Sequence, residues 1–316
     1  MRSQLFGLAR DKLTTILFHR FFFAEEPDVR SLDRLKRQCE WLRRHFTALS
    51  LDAATDALQT GRLPNRPLLI TIDDAKVELL RVADIFAEFE LPIAIFACVG
   101  WCAKESPDQD SLLARLVNEL EWYRGPVRTI KTRKGSITVG AGALETAKAV
   151  DLILADRDGS ELEAVLAGIA DSFSHPRISC SWSELAGLKA SGVAIGGHSV
   201  SHVNLAAASQ LRLEFEISET RRLLESKVGR SDSFAYPYGM SNTFSASTTS
   251  QLSKQGFRYA FLTHSDFASH RTNPLQIPRI AMPDRPMSKA EFQIRVAGAG
   301  VIYRKLKQSK FSLGRQ

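Results

Sequence analysis

Two adjacent carboxylates and a pair of histidines are the side chains of this sequence best suited to catalysis. Asp73 and Asp74 directly follow an apolar run, and His198 and His202 follow two glycines. Neighbouring residues at a strand end point to opposite sides, so one carboxylate can bind a metal while the other faces a water. Histidines four residues apart on a helical turn share one face and can share a metal ion. Each pair also has an ordinary structural explanation, since acids favour helix starts and surface helices carry such histidines by chance.

A third group of residues, Phe-Ala-Tyr-Pro-Tyr-Gly at positions 234–239, ends another short apolar run. Its Pro-Tyr-Gly sequence is also typical of a simple turn that closes a strand. All three groups follow predicted strands, and the carboxyl ends of parallel strands are where active sites lie in barrel folds. Taken singly, none of the three groups is decisive.

Strand-like and helical segments alternate along most of the chain. Buried strands are predicted over residues 14–18, 67–72, 92–98, 193–195, 233–236 and 259–262, and helices over residues 29–46, 51–58, 76–89, 183–191, 209–228 and 248–255. Continuously apolar strands separated by single helices indicate a parallel sheet or barrel.

Residues 104–177 interrupt this alternation with a predicted helix over residues 112–122, a hairpin over residues 127–139 and further helical segments. We interpret them as an α/β insertion subdomain. The barrel would then comprise residues 1–103 and 178–316, ending in a basic tail over residues 303–316.

The composition is that of an ordinary globular protein: 316 residues, of which 44% are hydrophobic and 24% charged. The formal net charge of +7 is modest for this length, so no nucleic-acid partner is predicted. Four scattered cysteines do not form a disulfide framework, which favours a reducing compartment.

The first residues favour a cytoplasmic location, because charged residues at positions 10–12 stand where a secretory signal would be apolar. No apolar run approaches the ~20 residues of a membrane-spanning helix. The tail interleaves basic and apolar residues, so it is either simply solvated or makes weak contact with a membrane surface.

The three groups, in this order, resemble the motifs of the polysaccharide deacetylases of carbohydrate esterase family four, the NodB-homology domain. Residues 69–74 resemble the first motif, residues 192–205 the second and residues 216–239 the third, in the branch with Phe-Ala-Tyr-Pro-Tyr-Gly. The resemblance covers about residues 14–103 and 180–295 and omits the insertion. It implies a distorted (β/α) barrel of about seven strands.

The resemblance also implies an activity, the removal of an N-acetyl group from an amino sugar. Asp74, His198 and His202 would hold one divalent metal, usually zinc in this family, with Co²⁺, Ni²⁺, Mn²⁺ or Fe²⁺ as alternatives. Asp73 would be the general base toward the metal-bound water, and the backbone N–H of Tyr238 would help to stabilise the oxyanion. The partner would be an N-acetylated sugar or oligosaccharide; no oligomeric state is predicted.

The sequence departs from the family pattern at two catalytic positions. Ala235 stands where many members carry an arginine that orients the catalytic aspartate, and we predict that Arg279 replaces it, because a guanidinium can hold a carboxylate by two hydrogen bonds. The late histidine that acts as general acid has no clean match. We predict His264 for this role, with His270 and His19 as alternatives.

Two other functions fit the same motifs. One is an N-deformylase or another amidohydrolase acting on a non-sugar amide, because the shape of the pocket selects the acyl group. The other is a pseudoenzyme that binds glycans without turnover, which the altered motifs favour. An intact base together with three metal ligands argues against the pseudoenzyme.

Overall fold

The computed structural model describes residues 11–24, 26–106, 108–123, 125–132, 135–140, 142–156, 165–166, 169 and 177–301. The basic tail predicted for residues 303–316 lies outside the described residues. Within the described ranges, no helix combines the length and the apolar character that a membrane span requires.

The strands predicted from the sequence are present, with two short ones in addition. In chain order the described strands are β1 (Thr14–Phe18), β2 (Thr47–Ala48), β3 (Pro67–Asp73), β4 (Ile93–Ala97), β5 (Arg128–Thr132), β6 (Gly135–Val139), β7 (Ala194–Gly197), β8 (Ser233–Ala235), β9 (Tyr259–Phe261) and β10 (Ile280–Ala281). The short β2 and β10 have only two residues each, too few for a periodic signal.

One curled parallel sheet contains all of these strands except the β5-β6 hairpin. Its order is β10-β1-β3-β4-β7-β8-β9, and β2 pairs with β3 beside this path. A bridge between Phe261 and Ile277 links β9 to the segment that leads into β10, which itself pairs with β1. Seven strands of this sheet therefore form a half-barrel, with β2 beside them, and the predicted distorted (β/α) barrel is confirmed.

Helices cover the outer face of the sheet. The described α-helices are α1 (Asp28–His45), α2 (Leu51–Thr60), α3 (Leu79–Glu88), α4 (Val99–Glu105), α5 (Leu112–Trp122), α6 (Ala143–Asp156), α7 (Trp182–Ala190), α8 (Gln210–Lys227), α9 (Ala246–Lys254) and α10 (Lys289–Val296). Several begin at a serine whose side chain accepts a backbone N–H, as Ser209 does from Arg212. Both α4 and α10 were missed because neither has a clear amphipathic period.

The region between β4 and α7 contains the predicted antiparallel hairpin, in which Arg128 pairs with Val139 and Thr132 with Gly135. Helices α5 and α6 pack against each other, and α6 packs against the hairpin. The boundaries of an insertion at residues 104 and 177 stay a prediction.

Successive side chains of β3 face two different apolar clusters, which explains why the sequence of this strand is continuously apolar. Leu68 and Ile70 belong to the large cluster that the outer helices complete, while Leu69 joins Phe96 and Phe261 in the barrel interior. Both faces are covered, as is typical of a parallel sheet. By the same alternation, the last residue of β3, Asp73, lies on the interior face, at the carboxyl end of the sheet.

Candidate metal centre and catalytic residues

Asp74, His198 and His202 lie together at the carboxyl ends of β3 and β7. Asp74 Oδ1 is 3.6 Å from His198 Nε2 and 3.7 Å from His202 Nε2, and the three ligand atoms lie within 4.8 Å of one another. These separations exceed hydrogen-bond length but suit atoms that each lie ~2.1 Å from one metal. Asp74 Oδ1 and His198 Nε2 are buried without a hydrogen-bond partner. Two orphaned atoms facing each other show that the residues fit a metal ion.

In His198 and Asp74, the polar atom that does not face the metal centre bonds to a neighbouring group, and this bond fixes the orientation of the side chain. His198 Nδ1 donates to the carbonyl of Ala235 at 2.7 Å, which leaves Nε2 as the atom that can bind a metal. Asp74 Oδ2 pairs with the Lys76 ammonium at 2.8 Å and leaves Oδ1 to the centre. Position 235 is an alanine where the family resemblance leads one to expect an arginine, and its backbone carbonyl orients His198.

Left-handed backbone conformations, and not helix geometry, bring these side chains together. Asp74 and Ala75 have φ values of 73° and 51°, so the chain turns sharply after β3, and α3 begins only at Leu79. Ser199 and His202 have φ values of 66° and 57° in a loop. The prediction that His198 and His202 share a helical turn is therefore wrong in its geometry. The turn they occupy is non-helical because residues with positive φ cannot continue a right-handed helix.

The buried carboxylate of Glu216 anchors residues 198–202, the histidine loop. Glu216, on α8, accepts the backbone N–H of Val200 at 2.7 Å and that of Ser201 at 3.1 Å. Its other oxygen accepts the Ser201 hydroxyl at 2.6 Å and Arg212 Nε at 2.7 Å. Every acceptor of this fully buried group is used, so the loop that carries His202 is anchored to a helix.

Asp73 and Arg279 form a bidentate ion pair inside the barrel. Arg279 Nη1 and Nη2 donate to the two carboxylate oxygens of Asp73 at 2.7 Å each, while Arg279 Nε donates to the Leu262 carbonyl at 2.8 Å. The exposed fractions are 0% for Arg279 and 1% for Asp73. Burial raises the pKa of Asp73, but the charges of Arg279 and then His198 outweigh it and bring the pKa to about 2. Asp73 is therefore ionised at neutral pH.

Asp74 and His202 are in the protonation states that a metal requires. Burial, followed by the charge of His198, lowers the pKa of His202 to about 4, so its imidazole is neutral at pH 7. Burial also acts to raise the pKa of Asp74, yet the charges of His198 and Lys76 lower it overall. A neutral imidazole and an ionised carboxylate bind metal without releasing protons.

Tyr238 lies beside the candidate metal centre, where it is partly exposed to solvent. Its ring centroid is 4.7 Å from that of His202, and 48% of the residue is exposed. Tyr238 itself has a φ of 61°, and Gly239 follows with a φ of 62°. A Cβ on Gly239 would lie 2.5 Å from the backbone nitrogen of Thr263, so the Pro-Tyr-Gly turn requires glycine at this point.

The three histidines considered as the general acid lie in different surroundings. His19 follows β1 at the same end of the barrel, is partly buried, and its charge acts on the pKa of both Asp73 and His202. His264 follows β9, is exposed, and accepts the backbone N–H of Arg279 through its carbonyl. His270 lies 3.5 Å from the Cβ position of Gly61, near the amino end of β3 and far from the site along that strand.

Sequence reasoning missed four residues that contact the ligands or their loop: Lys76 at Asp74 Oδ2, Trp101 stacked on His202, Trp122 donating to the Ser201 carbonyl, and Glu216. Lys76 had a signal, since it stands two residues after a proposed ligand. The others come from α4, α5 and α8, whose approach to the histidine loop depends on the packing of helices.

Comparisons with known proteins agree with this geometry. The family model described as "Polysaccharide deacetylase" matches residues 128–260, a range that includes His198, His202 and Tyr238 but begins after Asp73 and Asp74. Among curated protein sequences, none matches the chain.

Solved structures share the fold. The Streptococcus pyogenes deacetylase PplD, in complex with acetate, is 14% identical over 86% of this chain and 93% of its own, with a TM-score of 0.58. The deacetylase domain of BpsB from Bordetella bronchiseptica is 16% identical over 86% of this chain and 96% of its own, with a TM-score of 0.54. IcaB from Ammonifex degensii is 18% identical over 91% and 96%, with a TM-score of 0.55. The family model thus covers less than half of the chain, and these structures share its fold.

Proposed function

We propose that this protein is a metal-dependent hydrolase that removes the N-acetyl group from an amino sugar of a glycan. The observation that carries the proposal is the pair of orphaned buried atoms, Asp74 Oδ1 and His198 Nε2, beside an ionised Asp73. A purely structural cluster would satisfy these atoms by hydrogen bonds. The family match and the deacetylases of similar fold support the same reaction class.

The chain's own residues account for most of the chemistry. A divalent metal held by Asp74, His198 and His202 would act as a Lewis acid toward the acyl oxygen and lower the pKa of a nearby water, and zinc suits this donor set. Asp73 accepts a proton from that water at a carboxylate oxygen. Arg279 holds both oxygens of Asp73, which fixes the direction of the carboxylate and keeps it ionised.

Two further groups complete the proposed reaction. The backbone N–H of Tyr238 donates to the oxygen of the tetrahedral intermediate, in the turn that places Tyr238 against His202. His19 donates a proton to the leaving amine, and it is a better candidate than the exposed His264 because it is partly buried and directly follows β1, the strand next to β3. The products are acetate and a primary amine on the sugar.

The test combines metal analysis with acetate release. We expect Asp74→Ala, His198→Ala and His202→Ala to lose metal, and Asp73→Asn to keep metal while turnover falls by ~10²–10⁴-fold, because an amide cannot accept the water's proton. Lys36→Ala, at an exposed helix position, is the control. Near-normal turnover in Asp73→Asn would require another base.

The same assay separates the alternatives. Release of formate but not acetate from matched N-formyl and N-acetyl substrates would indicate a deformylase. Binding of oligosaccharides without release of either acid by metal-loaded protein would indicate a pseudoenzyme. His19→Gln and His264→Gln, compared in parallel, identify the acid, and we expect the larger loss of turnover in His19→Gln.

A further inference from the structure

A cleft lined by cationic side chains lies between α1 and α10, away from the candidate metal centre. Its volume is about 260 Å³, and no candidate catalytic or metal-binding residue lines it. Among the described residues of its lining, the cationic ones outnumber the single carboxylate by four to one: Arg30, Arg34, Arg37 and Lys289 against Glu26. The cleft therefore carries an excess of positive charge.

The period of α1 produces the cationic wall. Arg30, Arg34 and Arg37 are separated by four and three residues, so successive turns of the helix place them on one face. Arg30 and Arg37 are exposed, and neither forms an ion pair with another described residue. The donors of these two guanidinium groups are therefore available to a ligand.

Arg34, between them, is partly buried and fixed in place. Its side chain forms an ion pair with Glu26 and donates to the Phe21 carbonyl at 2.9 Å. Glu26 also accepts the Ser31 hydroxyl at 2.8 Å, so this carboxylate is already engaged. Burial, followed by the charge of Arg37, lowers the pKa of Arg34. The effect of Arg37 is a repulsion between like charges, which an anion in the cleft would relieve.

A buried amide also lines the cleft. The exposed fraction of Gln38 is 7%, and its side chain makes no hydrogen bond to another described residue. Buried polar groups normally have a partner, and an amide N–H can donate to an oxyanion. On the opposite wall, α10 begins at Lys289, so the positive end of its dipole lies at the cleft. Both walls thus favour a negatively charged ligand.

The rest of the lining is largely apolar. Trp41, Met287 and Phe292 contribute to it, and the rings of Trp41 and Phe292 meet edge-on with centroids 5.9 Å apart. The volume lies below the ~300 Å³ at which drug-sized pockets begin, which fits one headgroup-sized ligand. Such a ligand combines an anionic group with a short organic part.

A terminal phosphate or a diphosphate matches the charge of the cleft better than a carboxylate. A carboxylate has one charge and two oxygens, which a single guanidinium satisfies. A phosphate carries more charge and more acceptor oxygens, so it can bind two or three guanidinium groups at once.

We propose that the cleft between α1 and α10 binds the terminal phosphate or diphosphate of an organic phosphate, through Arg30, Arg34, Arg37 and Gln38. The organic part of the ligand lies against the apolar lining. This inference does not depend on the proposed deacetylation, so either can fail alone. The phosphate can belong to a soluble phosphorylated molecule or to a lipid headgroup, and the test separates the two.

The test measures the binding of pyrophosphate to the full chain by calorimetry. Arg37→Gln and the double variant Arg30→Gln with Arg37→Gln remove charges at exposed positions, where the fold does not depend on them. Arg44→Gln is the matched control, because it removes one exposed charge from the same helix outside the cleft. Asp74→Ala tests whether pyrophosphate binds at the candidate metal centre instead.

We expect Kd for pyrophosphate to rise about tenfold in Arg37→Gln and further in the double variant, because each lost guanidinium removes charge-assisted hydrogen bonds. Arg44→Gln and Asp74→Ala should bind pyrophosphate as the unmodified protein does. Equal affinity in the double variant and in Arg44→Gln would overturn the site. Binding that is lost in Asp74→Ala but kept in the double variant would overturn it as well.

Sedimentation with vesicles identifies the source of the phosphate. Phosphatidylcholine vesicles that contain phosphatidic acid, which has a terminal phosphate, are compared with vesicles that contain the same fraction of phosphatidylserine. A preference for phosphatidic acid that the double variant loses would support a lipid headgroup. Pyrophosphate binding without this preference would support a soluble phosphorylated ligand. Absence of both would overturn the proposal.

Discussion

Replacement of Arg279 by methionine is the most direct test of the buried ion pair between Asp73 and Arg279. The substitution keeps an unbranched side chain of similar length but removes the charge and four donated bonds, two to Asp73, one to the Leu262 carbonyl and one to the Thr71 hydroxyl. Asp73 would remain buried on the interior of the barrel with 1% of its surface exposed. A buried charge that has lost its partner is costly, and such truncations typically destabilise by 3–5 kcal/mol.

The magnitude can be worked from the pKa of Asp73. The ordinary value is 3.8 and the folded value is about 2, a difference that corresponds to about 2 kcal/mol of differential stabilisation of the carboxylate. Without Arg279, burial raises the pKa of Asp73 instead of being outweighed. We therefore expect Arg279→Met to lower the free energy of unfolding by about 3 kcal/mol at pH 7.

The sign of the pH dependence distinguishes this mechanism from simple loss of packing. In the unmodified protein Asp73 has a lowered pKa, so its contribution is complete above pH ~4 and is lost as the pH falls toward 2. In Arg279→Met the folded pKa lies above the unfolded one, so stability falls as the pH rises from ~4 through the raised pKa. The difference in stability between the two proteins should accordingly shrink as the pH is lowered from 7 to 3.

The assay is urea unfolding in the presence of a chelator, so that metal binding does not contribute. Arg43→Met is the control, because Arg43 forms an exposed ion pair with Glu90 and such pairs are worth less than about 1 kcal/mol. The double variant Arg279→Met with Asp73→Asn should recover part of the loss, since it removes both buried charges. A loss below about 1 kcal/mol in Arg279→Met, or one that does not change with pH, would refute the reasoning.

Three other predictions follow from the histidine loop and the metal centre. Glu216→Gln is expected to weaken metal affinity by 10–100-fold and to lower thermal stability, because the amide can no longer accept from Val200, Ser201 and its guanidinium partner together; metal titration and calorimetry measure this. Gly100→Ala is expected to destabilise the protein by about 1–3 kcal/mol, since the new Cβ would lie 2.6 Å from the Val200 carbonyl oxygen and 2.9 Å from Asn118; an unchanged Tm would contradict the tight packing. Removal of metal by a chelator is expected to lower Tm reversibly, by the equivalent of about 2.7 kcal/mol where the metal had been present at 100 times its Kd, with recovery on adding zinc.

The fold was largely predictable because its signal is local. Each main strand is a short apolar run bounded by turn residues, and most are followed by a helix, so the period of the sequence changes at the element boundaries. The missed elements are the ones whose existence depends on partners. Ile280 and Ala281 form a strand only because β1 offers them a register.

The choice of Asp73, Asp74, His198 and His202 as candidates also came from the sequence, through residue types and their position after strands. Chemistry restricts metal ligands and bases to a few side chains, so a short chain segment can carry that signal. The roles proposed for them still depend on the metal and turnover experiments above.

Only the tertiary structure decided how these side chains meet. The histidine pair faces one centre through left-handed loop residues and the buried Glu216, and not through the helical spacing that the sequence predicted. Arg279 reaches Asp73 across 206 positions of sequence because the segment before β10 lies against β9 and β1. Contacts of this kind join segments that are far apart in the chain, and no local pattern encodes them because their geometry is set by how the layers of the fold pack.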